Sequence, residues 1–283
     1  MKINLNNSQN LSAVIFTLVI ALICSSCSGI GRTRRIKVDG QIKIAQDIQI
    51  KQTEEMFNIG EKMTFNIKWM GIPVAVVTSQ MKGIEIIRGK EAYRIDLTAK
   101  TNPFMSAIFP VRDTYISFMD VKNLCTLRHE VDRKEGFYRK KAYTDFYQDE
   151  HYASFKNLLD GSEKTFDIPE NAQDTLTAFY YLRTVNLKLN DTIKYNVVNS
   201  EKNYAVYGLI VKKEFVKMGK LGTFEAFLIK PYAELDGRKT TRGSAISYFS
   251  ADSKRLPLIS TLRSYLFTKI VITLIDFEKG KEQ

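Results

Sequence analysis

Nucleophilic and metal-dependent catalysis need clustered histidine, cysteine or activated serine side chains, and this sequence offers few. It contains two histidines, His129 and His151, and neither has a second His or Cys at the spacing of zinc ligands. No Gly-x-Ser-x-Gly nucleophile motif lies near them, and no glycine-rich phosphate loop follows a strand-like run. We therefore expect no metal site, no cofactor and no nucleotide-dependent chemistry.

Carboxylates are the remaining candidates for catalysis, because a glycosidase needs only two of them at a separation that tertiary structure sets. The candidates are Glu61, Asp113, Asp174 and Asp252. Each also has a structural interpretation. Asp174 can cap a helix, Asp113 can pair with an arginine, and the other two lie at strand or turn ends. We therefore favour a protein that is not an enzyme and assign no catalytic residue.

A second group of side chains could bind a ligand or fix a helix to a sheet. If a helix carrying Tyr180 and Arg183 packs on the sheet, Arg183 can form an ion pair with Asp113, and we favour this pairing. The alternative is that Arg112 faces an anionic ligand. Trp69 is one of several aromatic side chains that could contact a ligand, although such residues more often belong to a core.

The three cysteines divide between an apolar amino terminus and the remaining chain. Residues 11–24 form an uncharged, mainly apolar run that is shorter than the ~20 residues needed to span a bilayer. Lys2 precedes this run, and Ser25 and Ser26 follow it, as in a cleaved signal peptide. Cys125 lies in a strand-like run, where a buried, inert thiol is the expectation.

The stretch Ile23-Cys-Ser-Ser-Cys27-Ser-Gly resembles a bacterial lipobox, with Cys24 in place of the usual Leu. The resemblance implies that Cys27 receives a diacylglycerol and that acyl chains such as palmitate anchor the mature chain. An ordinary cleaved signal or an uncleaved anchor are the alternatives. Ser28, where an Asp would imply retention in the inner membrane, favours a periplasm-facing lipoprotein of the outer membrane.

These features divide the chain into three parts. Residues 1–26 are predicted to be the signal peptide, residues 27–53 a lipidated tether, and residues 54–283 a single β domain. The tether is rich in charge, and its basic start at Arg32, Arg34 and Arg35 could rest on anionic head groups. A solvated linker without a partner is the favoured alternative.

The net charge of +11 favours an anionic partner but does not favour nucleic acid. Nucleic-acid-binding proteins concentrate positive charge in a stripe or a recognition helix. Here the Lys and Arg residues are scattered over alternating strands. Weak attraction to anionic lipid or acidic polysaccharide is still compatible with this distribution.

The elements that must position these residues are mostly strands. Met63, Phe65, Ile67 and Trp69 alternate with polar residues, and similar short runs recur between turn signals such as Asp236-Gly237. The exception is residues 175–184, where Asp174 can cap a short amphipathic helix. We predict a mainly β fold: an antiparallel meander forming a sandwich or open half-barrel, with one short packed helix.

Six blocks occur in an order that resembles the bacterial domain of unknown function family 3108. The series covers about residues 57–275, and Phe179 and Phe249 stand where Leu and Trp are expected. The resemblance implies an envelope protein and brings no established chemistry. The blocks are Gly60-Glu61, residues 67–73, residues 111–113, Gln173-Asp-Thr-Leu-Thr-Ala-Phe-Tyr-Tyr-Leu-Arg183, residues 222–224 and residues 250–257.

The sequence as a whole predicts a cell-envelope lipoprotein that binds or carries an envelope lipid or glycan. The alternatives are a carboxylate-dependent glycan-modifying enzyme and a structural envelope factor with protein partners. A carrier should have a deep apolar cavity under the helix, whereas an enzyme should have an open polar cleft with two carboxylates about 5 to 10 Å apart.

Overall fold

The computed structural model of the chain describes residues 57–240, 243–264 and 268–281. The predicted signal peptide, the predicted tether and Cys27 lie outside the described residues. Fifteen strands and two short α-helices make up most of the described part. The strands are β1 Lys62–Trp69, β2 Ile72–Ile87, β3 Lys90–Thr101, β4 Arg112–Asp120, β5 Thr126–Glu135, β6 Tyr138–Tyr147, β7 Tyr152–Asn157, β8 Glu163–Asp167, β9 Thr192–Asn199, β10 Lys202–Lys217, β11 Thr223–Leu235, β12 Arg238–Lys239, β13 Gly243–Ser250, β14 Pro257–Ser264 and β15 Lys269–Glu278.

All of these strands belong to one antiparallel sheet, as the alternating patterns predicted. Its strand order is β8-β7-β6-β5-β4-β3-β2-β1-β15-β14-β13-β11-β10-β9, with the short β12 beside β11. The first and last strands are neighbours, with Lys62 opposite Glu278 and Trp69 opposite Ile270. The predicted meander is therefore confirmed as two runs of sequential hairpins joined where β1 meets β15.

The sheet curls so that its two edges approach each other. Asn203, at the start of β10, donates a hydrogen bond to the Asp167 carbonyl oxygen of β8 at 2.8 Å, and Lys164 forms an ion pair with Glu201. Gln173 makes a parallel bridge to Val197 of β9. Of the two predicted forms, the chain takes the open half-barrel, with residues 168–174 in the gap between the edge strands.

Local sequence accounts for strand faces and turns. The side chains of Met63, Phe65 and Ile67 are buried, at 0%, 7% and 1% exposure, and the residues between them are not. The predicted turn at Asp236-Gly237 connects β11 and β12, and both residues have positive φ, at 51° and 70°. Glycine tolerates this left-handed backbone without steric cost.

Two α-helices and one short 3₁₀ helix, Gly219–Leu221, interrupt the strands in the described residues. Helix α1, Pro103–Ile108, was not predicted, and Asn102 caps it by accepting from the Met105 N–H at 2.8 Å. Helix α2, Thr175–Thr184, has the predicted bounds. Eight of its ten residues are buried, so the helix packs on the sheet as predicted, and only Phe179 and Tyr181 are partly exposed. The curled sheet encloses α2 on most sides and leaves it little solvent-facing surface.

No helix among the described residues is long and apolar enough to cross a membrane.

Candidate ligand cavity

Asp174 fixes the start of α2, as predicted from sequence. Its Oδ1 accepts hydrogen bonds from the backbone N–H groups of Leu176 and Thr177 at 2.7 and 3.2 Å. Hydroxyl groups of two strands also donate to this carboxylate, Ser117 at 3.0 Å and Thr126 at 3.1 Å. The helix cap is therefore also a buried joint between α2 and strands β4 and β5.

Arg183 fixes the end of α2, but not through the predicted partner. Its Nη1 and Nη2 donate to the two carboxylate oxygens of Glu61 at 2.6 and 2.9 Å, and its Nε donates to the Lys254 carbonyl oxygen at 3.1 Å. Both charged side chains are almost fully buried, at 1% and 3% exposure. The predicted Arg183–Asp113 pair was wrong, because Asp113 is the second residue of β4, at the opposite end of the sheet from Glu61.

Tyr180 holds the middle of the helix. It is fully buried, and its hydroxyl group lies 2.9 Å from the Ser79 hydroxyl of β2. Phe57 packs edge-on against the Tyr180 ring, with 5.5 Å between centroids, and the Arg183 guanidinium lies 5.2 Å from the Phe57 centroid. Three contacts along ten residues thus hold α2 inside the curled sheet.

A cavity lies between α2 and the inner face of the sheet. The cavity has a volume of about 80 Å³. Helix α2 contributes Leu176, Phe179 and Leu182 to its wall. The sheet contributes mainly apolar side chains, among them Phe65, Leu97, Ile193, Ile229, Phe249 and Leu258.

The polar groups of the wall are few, and none of the wall residues is Asp, Glu, Lys or Arg. Ser247 and Ser260 are opposite each other in β13 and β14, with hydroxyl oxygens 3.0 Å apart. At Gly208 an added Cβ would meet Ile193 Cγ1 at 2.9 Å and Ile229 Cγ2 at 3.0 Å, so a larger residue would have to displace these wall side chains. The wall therefore suits an apolar chain better than a sugar.

The wall of the cavity includes one histidine, His129. Its Nδ1 lies 2.9 Å from Ser117 Oγ, and the Ser117 hydroxyl donates to Asp174. The Nδ1 must therefore carry the proton, which leaves Nε2 as an acceptor. Burial lowers the pKa of His129, so the ring is neutral at pH 7.

Ser117, His129 and Asp174 do not form a nucleophilic triad, although the residue types match one. A triad needs the serine on one imidazole nitrogen and the carboxylate on the other. Here Ser117 Oγ and Asp174 Oδ1 lie 2.9 and 3.5 Å from the same nitrogen, Nδ1. The arrangement positions His129 and does not activate Ser117.

None of the six described residues predicted as ligand-binding or structural candidates lines the cavity. Asp174, Tyr180 and Arg183 hold α2 above it, as described. Trp69 is half-buried near the end of β1, and its Nε1 has no hydrogen-bond partner among the described residues. Arg112 is exposed at the start of β4.

Asp113 lies in a separate buried cluster with Glu135 and Arg133. The side chains of both acids are fully buried. Asp113 Oδ1 accepts the Lys134 N–H at 2.8 Å, while Asp113 Oδ2 and Glu135 Oε2 have no hydrogen-bond partner among the described residues. Burial first, and then the Glu135 charge, raise the pKa of Asp113 to about 7.

The remaining candidate residues, Asp252 and Cys125, have structural roles in the fold. Asp252 accepts from Ser250 Oγ at 2.7 Å and from the Lys254 and Arg255 N–H groups at 3.2 Å, which makes it a turn cap. Cys125 is buried, as predicted, and it has no disulfide partner among the described residues. Within the described ranges, no three His, Cys, Asp or Glu side chains are placed to hold a metal ion.

Sequence reasoning missed the residues that form the cavity wall. His129 was considered only as a zinc ligand or catalytic base, and Ser247, Ser260 and Gly208 were not singled out. A lone His in an alternating strand and two serines on an apolar strand face were the available signals. Neither signal identifies a cavity, because strands distant in sequence form its wall.

The family model for a protein of unknown function (DUF3108) matches residues 64–263, well over half of the chain. A beta-barrel-like protein from Brucella abortus, of the domain of unknown function DUF1849, is similar in structure with a TM-score of 0.54. It is 10% identical over 80% of this chain and 100% of its own. At that identity the likeness shows the fold alone.

Two further solved structures are less similar. A provisionally assigned lipoprotein from Parabacteroides distasonis has a TM-score of 0.36 and 9% identity over 79% of this chain and 98% of its own. A provisionally assigned exported protein from Bacteroides fragilis has a TM-score of 0.33 and 10% identity over 80% of this chain and 99% of its own. No curated protein matches the chain in sequence.

Proposed function

The chain belongs to the DUF3108 family of proteins of unknown function, and we propose that it binds the apolar chain of an envelope lipid in the cavity beneath α2. The observation that carries this proposal is the composition of the cavity wall. Its side chains are mainly aliphatic and aromatic, and none of them is Asp, Glu, Lys or Arg. Ligand sites of this kind use apolar walls for affinity and a few polar groups for orientation.

His129 is the polar group best placed to orient such a ligand. Its neutral ring offers Nε2 as an acceptor, and Ser117 and Asp174 hold the ring in one orientation. A lipid whose hydroxyl, amide N–H or protonated carboxyl group reaches this ring would gain a hydrogen bond at the apolar wall. The ligand class is therefore an apolar chain that carries a hydrogen-bond donor.

A glycan ligand and a glycan-modifying enzyme have less support. Asp113 and Glu135 are neighbouring carboxylates, but both side chains are fully buried and neither lines the cavity. A glycosidase needs an acid and a second carboxylate that meet the substrate from two sides. A structural role with protein partners would predict a filled core, whereas α2 covers an open cavity.

The predicted lipidation of Cys27 would place this cavity at the cell envelope, in agreement with a lipid ligand. More than one acyl chain is needed for a stable anchor, since each buried CH₂ contributes about 0.8 kcal/mol. Ser28, where an Asp would imply retention in the inner membrane, supports our further proposal that the chain is a periplasm-facing lipoprotein of the outer membrane. Replacing Cys27 with Ala should abolish acyl labelling and release the chain from membranes, and unchanged labelling would contradict the assignment.

The cavity is tested with the chain from residue 27 onward carrying Cys27→Ala. Organic extraction followed by mass spectrometry should recover a lipid, and fatty acids should displace an environment-sensitive naphthylamine dye. The variant Ser247→Leu/Ser260→Leu fills the wall and should lose dye and lipid. Its matched control is Ser154→Leu/Thr165→Leu, which changes two facing residues of β7 and β8 outside the cavity wall.

Both variants are checked for folding by the fluorescence of the one tryptophan, Trp69. Lipid retained in the control and lost from the filled variant supports the proposal. The proposal would be refuted if this chain held no lipid and no displaceable dye and the full chain purified from native membranes also held no lipid in the cavity. Glycan recovered in place of lipid would refute the ligand class.

A further inference from the structure

The two ends of the curled sheet differ in character. Glu61, Lys254 and Thr126, which hold α2, all lie at one end. Because every strand pair is antiparallel, the turns β1–β2, β3–β4, β5–β6 and β7–β8 and the start of β15 at Lys269 all lie at the opposite end.

Hydrogen bonds link the turns β1–β2, β3–β4 and β5–β6 to neighbouring turns or strand starts at this end. Asn102 donates to the Pro73 carbonyl oxygen at 2.7 Å, the Gly136 N–H donates to the Pro110 carbonyl oxygen at 2.8 Å, and the Met70 N–H donates to the Lys269 carbonyl oxygen at 2.8 Å.

This opposite end exposes large apolar side chains at the tips of its turns, where polar residues are usual. We call these residues the rim. Phe137 is completely exposed at the β5–β6 turn, and Phe104 and Ile108 of α1 are 69% and 68% exposed. The rim consists of Met70, Ile72, Phe104, Ile108, Phe137 and Leu158. Large apolar side chains exposed together at one end of a sheet mark a candidate interaction surface.

Positive charge surrounds the rim. Lys68, Lys100, Arg112, Arg139 and Lys269 are exposed on the strands that lead into it. None of the five takes part in a salt bridge within the described ranges. Apolar tips between cations fit the interface of an anionic bilayer, where acyl chains lie beneath negative head groups.

The chain outside the described residues is long enough for this orientation. Phe57, the first described residue, packs against α2 at the end away from the rim. A 12-residue strand such as β3 is roughly 40 Å long. The segment from Cys27 to Phe57 can reach roughly 100 Å when extended. An anchor at Cys27 therefore allows the rim to meet the same bilayer.

We propose that the rim docks on the surface of an anionic phospholipid bilayer, with its aromatic and aliphatic tips in the interface and the surrounding cations on the head groups. This docking does not depend on ligand binding in the cavity. It gives the protein a fixed orientation on the membrane in addition to any covalent anchor.

The test is flotation of the chain from residue 27 onward carrying Cys27→Ala, with two kinds of vesicle. One kind is phosphatidylcholine alone, and the other is equal parts phosphatidylcholine and phosphatidylglycerol. We expect binding to the anionic vesicles and weaker binding to the neutral ones. Raising the salt from 0.1 to 1 M should weaken binding, because the Debye length falls from about 10 to about 3 Å.

Two variants of the same composition separate the rim from exposed apolar surface in general. Ile108→Ser/Phe137→Ser removes two rim side chains and should lower the affinity for anionic vesicles about ten-fold or more. Ile86→Ser/Phe215→Ser removes an exposed isoleucine and an exposed phenylalanine of β2 and β10, at 64% and 77% exposure, and should leave it unchanged. All four residues are exposed, so folding should be retained.

Three results would overturn the proposal. One is absence of binding to anionic vesicles by the parent chain, and another is equal loss in both variants. The third is self-association of the parent chain, measured by sedimentation, that the rim variant abolishes while vesicle binding stays unchanged. The rim would then be the contact surface for a second copy of the chain. The cavity-filled variant Ser247→Leu/Ser260→Leu should still float with anionic vesicles, which separates this outcome from failure of the ligand proposal.

Discussion

The bidentate pair between Glu61 and Arg183 makes a quantitative prediction about stability. In Glu61→Gln one carboxylate oxygen becomes an NH₂ group that faces a guanidinium donor 2.6 or 2.9 Å away. The Arg183 charge then stays buried, at 1% exposure, without its counter-charge. Removing one partner of a buried pair costs about 3–5 kcal/mol. That loss is a large fraction of the ~5–15 kcal/mol by which a folded domain is stable.

Urea unfolding measures this loss through the fluorescence of Trp69, the one tryptophan of the chain. With a slope of about 3 kcal/mol per molar urea, the midpoint should fall by about 1 M or more. The matched control is Glu278→Gln, which removes an exposed pair with Lys62 whose atoms are 2.7 Å apart. That control should move the midpoint far less than Glu61→Gln, because an exposed ion pair contributes little to stability.

A double-mutant cycle tests the physical reason. Glu61→Leu/Arg183→Met replaces both charges with apolar groups and should lose less stability than either single replacement, since no buried charge is left unpaired. If Glu61→Gln lowers the free energy of unfolding by less than about 1 kcal/mol, or if the coupling energy between the two sites is near zero, then the Glu61–Arg183 pair does not fix α2 to the sheet.

Three shorter predictions concern single residues. Asp174→Ala should cost about 2 kcal/mol or more in thermal unfolding, because α2 loses its cap and the Thr126 hydroxyl loses an acceptor; a cost below about 0.5 kcal/mol would contradict this role. Asp113, with its pKa raised from 3.8 to about 7, stabilises the fold below pH 4 and loses this contribution as the pH rises through 7. Asp113→Asn should therefore flatten the fall in stability between pH 4 and 7, whereas an unchanged slope would assign that fall to other groups. Burial raises the pKa of the Cys125 thiol to about 12, so Ellman's reagent at pH 8 should label it slowly in the native chain and fully in urea; rapid native labelling would show an accessible thiol.

Local patterns predicted the elements whose causes are local. Alternation placed Met63 and Ile67 on the buried face of β1, and the spacing after Asp174 gave both bounds of α2. Helix α1 escaped because six residues are too few for a periodic pattern. The Asn102-Pro103 dipeptide was its available signal, since Asn caps helices and Pro favours their first turn.

The partners of α2 depend on strand order, which no local pattern contains. Glu61 precedes Arg183 by 122 residues, and β1 contacts α2 only because the sheet curls around it. Asp113 was equally plausible by charge but lies at the other end of β4. The cavity wall has the same origin, because its members come from both halves of the sheet and meet only after both have paired.

The pairing of β1 with β15 also has a consequence for folding kinetics. The run from β1 to β8 consists of hairpins between strands adjacent in sequence, and so does most of the run from β9 to β15. Contacts of this kind form early, because little loop-closure entropy opposes them. The β1–β15 seam joins residues as far apart as Lys62 and Glu278, so ribosomal synthesis must reach the last strand before the two halves can join. The two hairpin arrays can therefore form before the seam that closes the curled sheet.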